Sequence, residues 1–277
     1  MSGVIAVSGA TGQIGGRVAQ LLEAAGARQR LIVRVPERVK LPGADIALGD
    51  FTHPDTIRQA LDGVDTFFFV SAPETRDRAE VQRRVVEAAA EAGVRRIVYV
   101  SFVSAAPECT FTFGRDHWHT EEAIRASGLD FTILRDNLYQ DVIPQFAGED
   151  GMIRGPAGDG RIGAVTRDDV ADVAAAVLMQ DGHEGESYDV TGPRAFTLHE
   201  AAEMITTITG QPTAYYPESL DEAYDSRERF NAEKWEIDGW VTSYAAAATG
   251  ELDIVTDVVE RIAGHPATDF RDFLATR

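Results

Sequence analysis

Gly9, Gly12 and Gly15 recur at intervals of three, after the run Val4-Ile5-Ala6-Val7-Ser8 and among Ile14, Val18, Leu21 and Leu22 at helical spacing. A buried strand that turns on glycine into a helix leaves the first helical N–H groups unpaired and aims the helix dipole at the same place. That is a site for an anion such as pyrophosphate. Gly9 lets the chain turn, Gly12 lets the backbone approach the phosphates, and Gly15 lets the helix pack close to the strand. The G-x-x-G-x-x-G spacing differs by one residue from the G-x-G-x-x-G dinucleotide fingerprint. About twenty residues further on, the next strand reaches Arg34, with Arg38 close behind, where an NAD site usually carries an acid for the ribose 2′-hydroxyl. A guanidinium pairs with a 2′-phosphate and stacks on adenine, so NADPH (NADP+) is the expected cofactor; two solvated surface arginines are the alternative.

The elements that must position these residues alternate along the chain. Strands are expected at 4–8, 30–35, 44–48, 64–70, 96–101, 131–135 and 187–190, with helices following Gly12 and at 54–61, 76–92, 114–126 and 168–179. Such alternation predicts an α/β fold, a Rossmann-type doubly wound parallel sheet with ligands at the carboxyl ends of its strands. At those ends, Asp50 and Phe51 are placed to contact adenine, or Asp50 caps the following helix. Ser71, Ala72 and Pro73 are small enough to leave room for ribose and pyrophosphate, and Ser101 either binds the nicotinamide side or hydrogen-bonds its own loop. Beyond Arg135 the character changes. Residues 137–162 read as an excursion punctuated by glycine, and helices are expected at 197–209, 220–230, 232–249, 253–263 and 269–275. The expected organisation is a Rossmann core at 1–136, completed by 163–192, with a smaller, mostly helical C-terminal cap from 137–162 and 193–277 that binds substrate.

Composition narrows the partners. With 26 Lys and Arg against 45 Asp and Glu in 277 residues, the formal net charge of −19 disfavours nucleic acid, so a dinucleotide must be held by local chemistry. No apolar run of about 18 residues exists for a membrane span, and the N-terminus lacks a secretory pattern, so a cytoplasmic protein, monomer or homodimer, is expected. Cys109, the single cysteine, excludes an internal disulfide and a thiolate zinc site, and no metal is expected. His117 and His119 point to different sides of a helix and do not make a metal pair.

The only lysines are Lys40 and Lys234, and the residues four before them are Pro36 and Phe230. The Tyr-x-x-x-Lys acid–base dyad of short-chain dehydrogenases is therefore absent. Alignment of the corresponding helix places Phe113 at the tyrosine and His117 at the lysine, four residues before Glu121, which is close enough to touch His117 and raise its pKa. The runs His117-x-x-Thr120-Glu121, Ala126-Ser127-Gly128-Leu129, Thr132-x-Leu134-Arg135, Asn137-Leu138-Tyr139, Gly158-Asp159-Gly160-Arg161-Ile162, Thr166-Arg167-Asp168-Asp169, Gly182-His183-Glu184-Gly185 and Gly264-His265-Pro266 span most of the chain. Together they resemble the NmrA-like branch of the atypical short-chain dehydrogenases, and within it the type 2 NAD(P)H:quinone oxidoreductases. Asp136 stands where such proteins often carry another residue.

The resemblance implies an NADPH-dependent reductase of a small aromatic or quinone-like acceptor. It assigns cofactor contacts to Gly9, Thr11, Gly12, Gln13, Ile14, Arg34, Ser71, Ala72, His117 and Tyr139. A quinone takes hydride readily and its reduced anion is weakly basic, so solvent, Tyr139 or His117 can complete protonation without a tuned dyad. Two other readings remain open: a ketone or imine reductase of specialised metabolism using Tyr139 or His117 as acid, and a non-catalytic NADP-sensing regulator.

Overall fold

The computed structural model describes residues 3–276. Its first half alternates strand and helix: β1 (Ile5–Ser8), α1 (Gln13–Ala24), β2 (Gln29–Val33), β3 (Asp45–Leu48), α2 (Pro54–Ala60), β4 (Thr66–Val70), α3 (Arg78–Glu91), β5 (Arg96–Phe102), α4 (Thr112–Ala126) and β6 (Asp130–Asp136). After β6 come β7 (Met152–Gly155), β8 (Arg161–Ile162), α5 (Arg167–Met179), β9 (Glu186–Val190), β10 (Phe196–Thr197), α6 (Leu198–Thr209), β11 (Ala214–Pro217), α7 (Leu220–Arg227), α8 (Lys234–Ala248) and α9 (Phe270–Ala275).

Seven strands form one sheet in the order β3-β2-β1-β4-β5-β6-β9, and every pairing in it is parallel. The expected doubly wound α/β fold is present. Side chains of β4 show how the sheet is covered on both faces, because successive residues of a strand point to opposite sides. Phe68 packs with Val7, Val98 and Leu134 under α1 and α5, whereas Phe67 and Phe69 pack with Ala6, Ile97 and Ile133 under α2 and α3. Connections leave β1 toward β2 on one side and reach β4 on the other, so the strand order reverses there and a crevice opens at the carboxyl ends.

A further core gathers Phe102, Ile143, Ile153, Phe196, Tyr215, Ala246 and Phe270 between α6, α8, α9 and two small sheets, β10 with β8 and β11 with β7. Strand β11 lies in a stretch that helices were expected to dominate. Tyr215 points inward and Tyr216 outward, a period of two that pairs parallel with β7. The helix expected at 253–263 is confined to a single π-type turn at Val259–Ala263. Upstream of it the backbone is committed elsewhere, since Leu252 O accepts from Gly163 N and Asn137 Nδ2, and Thr256 Oγ1 donates to Asp189 O. Val258, Val259 and Ile262 pack with the α1–α5 core, so this part of 193–277 lies against the sheet domain. The helix expected at 220–230 ends at Arg227 and tightens into a 3₁₀ turn over Glu228–Phe230.

Candidate active site

At the crevice the glycine turn is open. Gly9 takes φ of 63°, which favours glycine, and Gly12 N donates to Gly9 O at 2.8 Å. A Cβ on Gly15 would stand 2.5 Å from Gly9 O and 2.6 Å from Ser8 O, so only glycine lets α1 seat against the strand. Gly12 starts α1 with no side-chain cap and no acid in the first turn, leaving the helix N–H groups for a ligand. Ser8 Oγ donates to Phe68 O at 3.1 Å and accepts from Val70 N at 2.9 Å, which fixes the ends of β1 and β4 together across the crevice. Thr11, Gly12, Gln13 and Arg38 line a cavity of about 320 Å³ beside α1. Ile14 turns its side chain into the core, so only its backbone faces this end.

Arg34 and Arg38 follow β2, exposed, and among the described residues neither guanidinium has a hydrogen-bond or ion-pair partner. Asp50 is less free. Its Oδ1 accepts from Thr52 N at 2.9 Å and Thr52 Oγ1 at 2.8 Å, and the Thr52 N–H above all holds its carboxyl below the usual range. The residue before α2 is His53, and Asp50 does not cap that helix. Phe51 is half-buried with its ring edge-on to Phe69 at 5.2 Å, which ties it to the core of the sheet.

Around the ends of β4, β5 and β6 the polar groups are closed instead. Between half-buried Ser71 and exposed Pro73, Ala72 is gripped from α3: its N–H donates to Gln82 Oε1 and its carbonyl accepts from Arg78 Nε, both at 2.9 Å. Arg78, 3% exposed, also donates from Nη2 to His117 Nε2 at 3.2 Å. A guanidinium cannot accept, so His117 Nε2 is the acceptor and its proton sits on Nδ1, 2.9 Å from Tyr99 Oη. Burial, and then Arg78, push the His117 pKa well below its ordinary value. This corrects the expectation for His117: the ring is neutral, both nitrogens are engaged, and it has no proton to offer the cleft. Nor does Glu121 raise it. Glu121 takes Ser101 Oγ at 2.6 Å, Arg135 at 2.8 and 2.6 Å, and Arg125 at 2.9 Å, and these bonds outweigh burial to keep it ionised. Ser101, fully buried, is thus bonded to α4, neither to its own loop nor toward the cleft.

Tyr139, half-buried just past β6, donates its hydroxyl to Asp136 Oδ2 in a short hydrogen bond. Burial raises the Asp136 pKa to about 7, and burial beside Asp136 pushes Tyr139 well above its ordinary value. The Arg167 guanidinium lies 3.9 Å from the centroid of the Tyr139 ring and pairs with Asp141. Phe113, where the missing tyrosine would stand, packs edge-on to Phe111 at 5.6 Å and tilts against Trp235 at 6.0 Å, and Phe111 meets Phe102 at 5.0 Å. An aromatic wall replaces the acid.

Arg78, Gln82 and the Asp136–Tyr139 bond did not emerge from spacing. Arg78 and Gln82 share the buried face of α3 with Val85 and Ala89, so two polar residues on an otherwise apolar face were the available signal. No group of three or more metal-ligating side chains occurs among the described residues, and no helix among them is long and apolar enough to cross a membrane.

Residues 9–181 match the NAD(P)H-binding family model. The chain is 30% identical over 276 residues to an NAD(P)H azoreductase of Xenophilus azovorans, covering 98% of this chain and 96% of that one. It is similar in structure to an NADPH-dependent quinone oxidoreductase of Escherichia coli complexed with NADPH (TM-score 0.90, 30% identity, 98% and 99% of the two chains). It is also similar to the triphenylmethane reductase of Citrobacter sp. complexed with NADP(H) (TM-score 0.85, 29% identity, 99% of each chain).

Proposed function

The chain belongs to the NAD(P)H-binding family, and we propose that it is an NADPH-dependent reductase of quinone-like and other conjugated aromatic acceptors. The observation that carries this reading is the pairing of an uncapped, glycine-turned helix start with two exposed arginines just past β2 that hydrogen-bond to no described residue. When bound, NADPH supplies the hydride. The N–H groups of Thr11, Gln13 and Ile14 would hold its pyrophosphate, the Gly12 N–H being spent on Gly9 O, and Arg34 with Arg38 would take the 2′-phosphate. Asp50 and Phe51 border the adenine without reaching for it, since both are held by their own neighbours. Gln82 and Arg78 set the Ser71–Pro73 loop against the nicotinamide half. His117 contributes by fixing Arg78, and Ser101 by locking β5 to α4 through Glu121.

Phe102, Phe111, Phe113 and Trp235 offer a flat apolar acceptor a matching wall. An acceptor whose reduced anion is stable needs little acid assistance, which suits a site with phenylalanine in place of tyrosine. Just past β6, the Tyr139 hydroxyl is the group that we assign to proton delivery. The relatives' acceptors, azo compounds, quinones and triphenylmethane dyes, share extended conjugation, and the resemblance extends to the NADPH that the bacterial quinone oxidoreductase holds.

The test is NADPH oxidation, followed at the nicotinamide absorbance, with benzoquinones, naphthoquinones and triarylmethane dyes, beside titrations of NADPH and NADH. Rapid oxidation by quinones is expected, with little by simple ketones. Tight NADPH binding with no acceptor consumed would overturn the reading in favour of an NADP-sensing regulator.

A further inference from the structure

A quinone that receives hydride gathers negative charge on its oxygen, and that oxygen takes a proton. Asp136 closes β6, beside Phe102 of β5 in register, and is 3% exposed. Its carbonyl accepts from Val103 N at 2.8 Å, and among the described residues the only side chain hydrogen-bonded to its carboxyl is Tyr139. Buried carboxylates are ordinarily paired with a cation or with several donors. Two cations stand near Asp136, and neither is hydrogen-bonded to its carboxyl. Arg78, from α3, donates to Ala72 O and His117 Nε2, and Arg167, from α5, donates to Asp141 while stacking on the Tyr139 ring. His117 is neutral and faces Arg78. Burial outweighs the pull toward the anion from the Tyr139 hydrogen bond and from the charges of Arg167 and Arg78, and carries Asp136 toward neutrality in the physiological range.

We infer that Asp136 is the proton store of the site, acting through Tyr139 as a positioning residue. In its acid form Asp136 donates to Tyr139 Oη, which frees the tyrosine hydrogen for the acceptor; as a carboxylate it keeps that hydrogen for itself. The balance is complete. The acceptor gains a hydride from NADPH; its oxygen forms a bond to the Tyr139 hydrogen as the Tyr139 O–H bond breaks. Tyr139 Oη takes the Asp136 proton, and the carboxylate left behind recovers a proton from water before the next turnover. The inference rests on the reductase reading, and its test separates the two.

Two measurements are made on the full chain. The first, without acceptor, follows the infrared band of a protonated carboxyl across pH. It should bleach through about pH 7 and be missing in Asp136→Asn. The second is kcat at saturating NADPH with a quinone. Between pH 6 and 8 it should fall about tenfold, the drop in acid form of a group titrating midway. Asp136→Asn and Tyr139→Phe should both be slow at pH 6 and level across the range. The phenylalanine variant leaves the carboxyl in place, so it serves if the asparagine variant folds poorly. A wild-type kcat that is flat while the band titrates overturns the proton store and leaves the reductase reading intact. So does a variant that keeps both rate and pH limb. Absence of quinone turnover in the wild type removes the reductase reading, and the proton store with it.

Discussion

The two ends of the cleft are built on opposite terms. At the glycine turn, donors and charges have no hydrogen-bond or ion-pair partner among the described residues: the first N–H groups of α1, and the guanidinium groups of Arg34 and Arg38. At the ends of β4 to β6, buried polar side chains are bonded within the protein, from Gln82 and Arg78 on the Ala72 backbone through His117 and Tyr99 to Ser101 on Glu121. An open site gains its partners from the ligand, so mutations there cost affinity. A closed network fixes the positions of backbone and rings, so mutations there cost folding free energy first.

The sharpest way to break that contrast is at Arg78. Arg78→Met keeps much of the buried volume but leaves Ala72 O and His117 Nε2 without a donor. Hydrogen bonds from a charged group are worth roughly 1.5–3 kcal/mol each, so the unfolding free energy should fall by about 3 kcal/mol. Urea unfolding measures it. A loss under about 0.5 kcal/mol, the range of an ordinary surface substitution, would mean the network is not closed as described. The next effect is at the open end. Arg34→Glu should weaken NADPH binding by roughly 30-fold, about 2 kcal/mol, with little change in NADH binding or in unfolding. Titration of both cofactors against wild type and variant gives the answer, and equal losses for NADPH and NADH would show that Arg34 does not read the 2′-phosphate.

The same contrast explains what the sequence discloses. Open features are contiguous: Gly9 to Gly15 lie within one strand–turn–helix, and Arg34 follows the next strand at a distance set by the fold, so type and spacing suffice. The closed features join residues far apart in the chain, Arg78 to His117 across 39 positions and Ser101 to Glu121 across 20, and which polar group meets which is settled only by packing. That is why His117 and Ser101 read as cleft residues but belong to the interior. Asp136 and Tyr139 are only three apart, yet the pairing depends on where β6 ends and how the chain leaves the sheet. Strand β11 was hidden for a similar reason, because four residues at the edge of a two-stranded sheet carry too short an alternation to stand out among helices.

The smallest effect follows from two buried groups that shift in opposite directions. His117 resists protonation when folded, so the unfolded chain binds the extra proton and the stability it contributes is lost as pH falls below its ordinary range. Asp136 is the reverse. Its folded pKa of about 7 lies above the unfolded value, so the stability it contributes is complete in acid, below the ordinary carboxyl range, and is lost as pH rises through about 7. Around pH 5 to 7 the two slopes oppose each other, and the wild-type curve should be flatter than either group alone would make it. Asp136→Asn removes the falling slope while leaving Tyr139 an acceptor for its hydroxyl. Relative to wild type, the variant should therefore gain about 1–2 kcal/mol between pH 6 and pH 8, with most of the change complete by pH 7. Urea unfolding of both proteins at several pH values reads the difference directly. A constant offset would place the Asp136 titration in the ordinary carboxyl range, which requires a cation or water to be reaching the carboxyl and would make this end of the cleft as open as the other.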